Sequence, residues 1–252
     1  MIAMDDHDRP ASDWQYARRM KKHVVAMMSI FLAISTLVAC TAAEGDGGSE
    51  QSDDISSFVS WMRLVQHDYE PAATPSDLAQ RSDLVIVGTI VGVKTGQSYA
   101  PLPGAEEEGD VSSVIEVQVD EKLSGDVDLT KGGSAYIQIT NPAYVGDGSG
   151  QGKLVPFDLA AFQETVPIGT SGVFFLIDIT DQPVYEYVID KGAGRPGGSS
   201  LLGTHVQGFV LEASDGSLVS AHEPLDAMAP AWQKLDSIDD VRLAVSEVAD
   251  AT

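Results

Sequence analysis

Cysteine is almost missing: Cys40 is the only one in 252 residues. An internal disulfide is therefore excluded, and the fold must hold by its core alone, which a chain of about 200 residues can supply. Cations are scarce too, with 15 Lys and Arg against 38 Asp and Glu and a net charge of −23. So anionic a surface is repelled by phosphate backbones and anionic headgroups, so no nucleic-acid partner is expected. Histidine is sparse after residue 40, with only His67, His205 and His222, and none lies in an H-E-x-x-H or H-x-H arrangement. A zinc site therefore has no local signature.

What is present begins at Arg18, Arg19, Lys21 and Lys22, a basic cluster ahead of an apolar run over residues 24–39. This is the layout of a secretory signal peptide. The run has 16 residues, whereas a helix needs about 20 to span a bilayer. It ends in Leu37-Val38-Ala39-Cys40. That stretch resembles the lipobox of bacterial lipoproteins. The resemblance implies a diacylglycerol on the Cys40 thiol and cleavage between Ala39 and Cys40. Two acyl chains are what stable anchoring requires, and a lone exported cysteine needs such an explanation. The alternatives are an uncleaved anchor helix, a buried helix of a chain that is not exported, and a free Cys40 thiol beside an ordinary cleavage site. Asp5, Asp6, Asp8 and Asp13 precede the basic cluster, which is unusual for a signal peptide, and Met20 offers a more ordinary start.

Residues 41–54, TAAEGDGGSEQSDD, lack apolar periodicity and read as a flexible acidic tether. Its root-mean-square reach is roughly 20 Å. Apolar residues then recur at helical spacing at Ile55, Phe58, Val59, Met62, Val65 and Tyr69, with Trp61 and Leu64 off the stripe. Pro71 and Pro75 end this element, and residues 76–80 suit one helical turn.

Strands follow. Residues 84–93, LVIVGTIVGV, suit a strand buried on both faces, with Gly88 and Gly92 at bends or bulges. Ile115, Val117 and Val119 alternate with polar residues, as do Ala135, Ile137 and Ile139 with Tyr136 and Gln138. Val173, Phe175, Ile177 and Ile179 mark another strand, and residues 184–189 a further candidate. Residues 208–212 and 218–219 flank an Asp215-Gly216 turn. Ser237 and Asp240 form an S-x-x-D cap before Ile238, Val241, Val245 and Val248, predicting a final helix that covers an open end or face of the sheet.

The expected fold is mainly all-β: a barrel or sandwich of about seven short strands, with a helix at each end. Long loops are expected over 95–110 and 141–167. The organisation predicted is a signal peptide over 1–39, lipidated Cys40 and linker over 40–54, a helical or irregular segment over 55–81, the β domain over 82–222, and a C-terminal segment with a helix over 223–252. Ser82-Asp83-Leu84-Val85-Ile86-Val87-Gly88-Thr89-Ile90 resembles the first strand of netrin-like and metalloproteinase-inhibitor domains, which are OB-fold barrels. Val117 to Gly125 is similar to their second strand and its closing turn, and Gly169 to Leu176 to a later strand. The resemblance spans about residues 82–219 and implies an OB-like barrel. Those inhibitors are disulfide-rich and use a free N-terminal Cys as a zinc ligand, so their mechanism does not carry over to a lipidated Cys40.

Other motifs point to less. Gly146-Asp147-Gly148-Ser149-Gly150-Gln151-Gly152-Lys153 fails as a phosphate loop, because Asp147 and Leu154 stand where Gly and Ser or Thr are needed. As a calcium loop it half matches, through Asp147, Ser149, Gln151 and Asp158, but Pro156 interrupts it. No G-x-S-x-G elbow precedes Ser149 or Ser217, so a Ser/His/Asp triad around His205 or His222 would need distant residues. Glu106, Glu107, Glu108 and Asp110 read as a solvated loop tip, and residues 192–198 with Arg195 as a mobile loop. Trp61, Tyr185 and Tyr187 are candidates for a binding face or for packing.

The sequence therefore predicts a non-catalytic interaction module on the extracytoplasmic face of the cell membrane. Its partners would be the membrane, through the diacylglycerol, and an envelope protein or glycan, with no cofactor or metal. An envelope hydrolase with a non-local triad, or a peptidase inhibitor acting through a loop, is the alternative.

Overall fold

Alternation over residues 84–93 sends successive side chains to opposite sides of a strand, and in a computed structural model both sides are buried over residues 84–88, while Val91 is exposed. The structure describes residues 50–64, 69–99, 110–141, 144–146, 154–181 and 188–249. These residues form a mostly antiparallel β structure with a few helices. The strands are β1 (Leu84–Ser98), β2 (Val111–Gly125), β3 (Ser134–Asn141), β4 (Tyr144–Gly146), β5 (Leu154–Pro156), β6 (Ser171–Asp178), β7 (Leu202–Glu212) and β8 (Leu218–Ser220). The helices are α1 (Glu50–Met62), α2 (Pro75–Gln80), α3 (Leu159–Glu164) and α4 (Ile238–Ala249).

Six strands form one sheet in the order β3-β2-β1-β6-β7-β8, with β3 also bridging β7 in parallel at Ile137 and Leu202; β4 and β5 pair separately. From β1, Leu84, Ile86 and Ile90 enter a core with Ile115, Ile137, Phe174 and Phe209. Helix α1 adds Ile55, Phe58, Val59 and Met62 to it, and α3 adds Phe162. Phe58 sits 5.8 Å from Phe162 and 5.7 Å from Phe209, centroid to centroid. Val85 and Val87 point the other way, into a second core with Val173, Phe175, Val210, Trp232, Val241 and Val245. The final helix α4 thus covers a sheet face, as its stripe of valines predicted. Its cap forms too: Asp240 Oδ2 accepts from the Ser237 N–H and hydroxyl, and the Asp240 N–H donates to Ser237 Oγ at 3.3 Å.

Several elements differ from expectation. The strands are not uniformly short, since β1 and β2 each run 15 residues. Register shifts at Val87/Gly88 and Ile90/Gly92 bend this pair without ending it. A Cβ on Gly88 would lie 2.5 Å from Gln118 O, so only glycine allows that approach. Helix α1 starts at Glu50, inside the stretch read as tether, and ends at Met62 rather than Tyr69. The stretch read as one long loop over 141–167 contains β4, β5 and α3. β7 begins at Leu202, six residues before the expected Gly208, because Thr204, His205 and Gln207 mask its alternation.

Candidate functional site on the outer face of β2 and β3

Residues paired across antiparallel strands share a face. Ser112 pairs Thr140, Val114 pairs Gln138, Glu116 pairs Tyr136, and Gln118 pairs Ser134. One face of β2–β3 is therefore largely polar, while Ile115, Val117, Ala135, Ile137 and Ile139 point to the core. Glu116 organises the polar side: its Oε1 accepts from Ser134 Oγ at 3.3 Å and Tyr136 OH at 3.4 Å, and Lys94 Nζ lies 3.5 Å from Oε2. Half-exposed and at these distances, the Lys94–Glu116 pair contributes little to stability. Its effect is to fix which groups the face presents.

Gln138 is the most constrained member of the face, only 5% exposed. Its Nε2 donates to Tyr99 OH at 2.7 Å and Thr140 Oγ1 at 3.3 Å. Its Oε1 is buried with no hydrogen-bond partner. Tyr99 also forms a β-bridge with Val188, which brings the β1–β2 and β6–β7 connections together. Ile189 N–H donates to Ser98 O at 2.9 Å, and Gln97 Nε2 to Lys191 O at 3.0 Å. From there residues 188–201 pass over the sheet. Gly194 fits against Val114 so closely that a Cβ would come within 2.7 Å of Cγ2. Val114, Tyr136, Ile179 and Leu201 form a small separate core beneath this segment.

The same end of the sheet is polar on its inner side. Asn141 Nδ2 donates to Ser113 Oγ at 3.1 Å and Val111 O at 3.2 Å, and Gln163 of α3 reaches Thr95 Oγ1 at 3.3 Å. These residues were not singled out from sequence. The signal was there: Ser113 lies in phase with Ile115, and Asn141 with Ile139.

The residues that sequence did single out are scattered. Ala39, Cys40, His67, the Glu106–Glu108 run, Asp147, Ser149, Gln151, Tyr185 and Tyr187 lie outside the described residues. Asp158, offered as a calcium ligand, is the N-cap of α3, where its Oδ1 accepts from the Ala161 N–H at 2.9 Å. Trp61 packs against Phe157 edge to face at 5.1 Å rather than standing free on a surface. Half-buried His205 has its Nε2 3.3 Å from the Arg81 carbonyl oxygen, not facing a serine hydroxyl. Burial is the main force lowering its pKa below the ordinary 6.5; the Arg81 carbonyl opposes this, the Arg81 charge adds to it, and Asp83 opposes it. His222 follows β8, half-buried. Arg195 is half-buried rather than out on a free loop, and donates through Nε to Ser199 O at 3.0 Å. Burial lowers its pKa and Asp178 opposes the shift.

Among the described residues, no three or more His, Cys, Asp or Glu side chains group to hold a metal, and no helix is long and apolar enough to cross a membrane. The chain matches no family model, no curated protein and no solved structure.

Proposed function

We propose that the chain is a lipid-anchored, extracytoplasmic binding module whose sheet closes into an OB-like barrel and whose polar β2–β3 face receives an envelope protein or glycan. The anchor rests on Leu37-Val38-Ala39-Cys40 after a basic, then apolar, leader. Closure is supported by the parallel bridge between Ile137 and Leu202, since β1 already lies between β2 and β6 and β7 follows β6. In OB barrels the second and third strands, with the first and a later connection, form the usual binding surface. Here Tyr99 and Val188 join the corresponding connections beside Gln138. That meeting of two connections on a polar face is the observation that carries the binding reading. Function on such a fold belongs to the site rather than the architecture.

The test is site-specific photo-crosslinking in living cells. A photoreactive residue replaces exposed Gln118 on the face, with exposed Asp239 on α4 as control. A recurrent adduct from position 118 and none from 239 is expected. Equal adducts from both, or none from 118, would contradict the reading.

A further inference from the structure

The β6–β7 connection lies across the face just described, and its composition does not suit a permanent cover. Between Lys191 and Ser199 stand Gly192, Gly194, Gly197, Gly198 and Pro196. Gly194 and Gly198 have φ of 82° and 76°. Glycine loses the most conformational freedom when held in one place. Gln97 Nε2 and Lys131 Nζ each donate to its backbone, at Lys191 O and Gly197 O. Much of its remaining bonding is internal: Ala193 N–H to Asp190 O at 3.0 Å, Ser199 N–H to Pro196 O at 3.1 Å, and Arg195 Nε to Ser199 O. Those bonds survive if the segment moves as a body.

Its closed position also leaves polar groups unsatisfied. Arg195 Nη1 and Ser199 Oγ within the segment are buried without a hydrogen-bond partner, as is Oε1 of Gln138, which pairs with Val114 beneath Gly194. None of the three atoms therefore ties the segment down to β2–β3 by a hydrogen bond. The ends are firmer. Val188 and Ile189 are tied to Tyr99 and Ser98, and the Leu201 N–H donates to Thr180 Oγ1 at 2.8 Å while the Ile179 N–H donates to Leu201 O at 2.9 Å.

We propose that residues 190–200 form a strap, hinged at Ile189 and Leu201, that lifts as a unit from β2–β3 while the rest of the sheet stays folded, uncovering Tyr136 and Gln138. Its use as a gate rests on the binding reading above; its motion does not. An opening smaller than global unfolding is the kind of local event that native-state labelling resolves.

The experiment is acetylation of tyrosines on the full chain by N-acetylimidazole in 0 to sub-denaturing urea, read at Tyr136 by peptide mass spectrometry. Hydrogen exchange at β1 is followed in parallel. Tyr136 is 4% exposed, so its labelling requires an opening. Labelling of Tyr136 should be nearly insensitive to urea, while β1 amides exchange with the full urea dependence of unfolding. Gly194→Ala, which sets a Cβ against Val114 at positive φ, should raise Tyr136 labelling at least tenfold without giving it the urea dependence that β1 exchange keeps. Tyr136 and β1 sharing one urea dependence in the unaltered chain would overturn the proposal, even if the variant does not fold. A strap that lifts with no adduct at position 118 would sink the binding reading and leave the strap standing.

Discussion

Gln207 of β7 holds both backbone groups of Ala72: its Oε1 accepts from the Ala72 N–H at 2.6 Å and its Nε2 donates to the Ala72 oxygen at 3.4 Å. Gln207 is 1% exposed and Ala72 fully buried. The described residues of the segment joining α1 to α2 carry no strand pairing, so this side-chain amide substitutes for a strand neighbour. Gln207→Leu leaves the buried Ala72 N–H unsatisfied and should destabilise the domain by about 1–3 kcal/mol. Urea denaturation should show a lower midpoint with an unchanged slope.

Trp232 reaches the same oxygen, donating from Nε1 at 3.1 Å, with its ring 5.9 Å from that of Phe175. Trp232→Phe keeps most of the ring burial and leaves the Ala72 oxygen one donor. The two substitutions act on one group and should not add. The Gln207→Leu, Trp232→Phe double variant should lose about 0.5–3 kcal/mol beyond the sum, because the Ala72 oxygen then has neither donor. A double-mutant cycle by urea denaturation measures it.

His205 gives the fold an acid sensitivity. Its folded pKa lies below the ordinary 6.5 chiefly through burial, so below pH 6.5 the unfolded chain takes up the proton first. Stability from this group is complete above pH 6.5 and is lost as pH falls towards the folded value. The difference in urea midpoint between the unaltered chain and His205→Gln should therefore change between pH 8 and pH 5, with the unaltered chain losing more. Parallel midpoints across that range would show that His205 is not the group responsible.

At Gly88 the backbone of β1 lies close against β2. A methyl there meets Gln118 O at 2.5 Å and Val117 Cγ1 at 2.6 Å. Gly88→Ala should cost about 1–3 kcal/mol, as overpacking of a tight core does. Gly216→Ala makes a useful contrast. No atom lies within 4 Å of a Cβ there, so only the strain of φ 84° is tested. Thermal unfolding of the two variants separates the contributions.

Much of the β framework is legible along the chain, for a physical reason. Val85 and Val87 alternate with Leu84 and Ile86, and both sets are apolar, which a strand between two cores requires. The Ser237–Asp240 cap reads directly because it is local. Helix α3 was hidden for the opposite reason. Asp158 followed by Leu-Ala-Ala-Phe is a good helix start, but the glycines and Pro156 before it make the stretch read as a loop between strands. The candidate face was less visible still. Tyr136 and Gln138 look like ordinary solvent-side residues of an alternating strand, yet Tyr136 shares a small core with Leu201 and Gln138 bonds to Tyr99. That contact joins residues about 60 apart in sequence, as Lys131 and Gly197 do, and no local pattern encodes it.

A lipid at Cys40 is what we propose displays this domain on a membrane. The most direct measurement is mass spectrometry of the N-terminal peptide of the mature protein recovered from membranes. A peptide beginning at Cys40 and carrying the mass of a thioether-linked diacylglycerol is predicted. A mature chain that begins elsewhere, or one holding Cys40 as an unmodified thiol, would contradict the account.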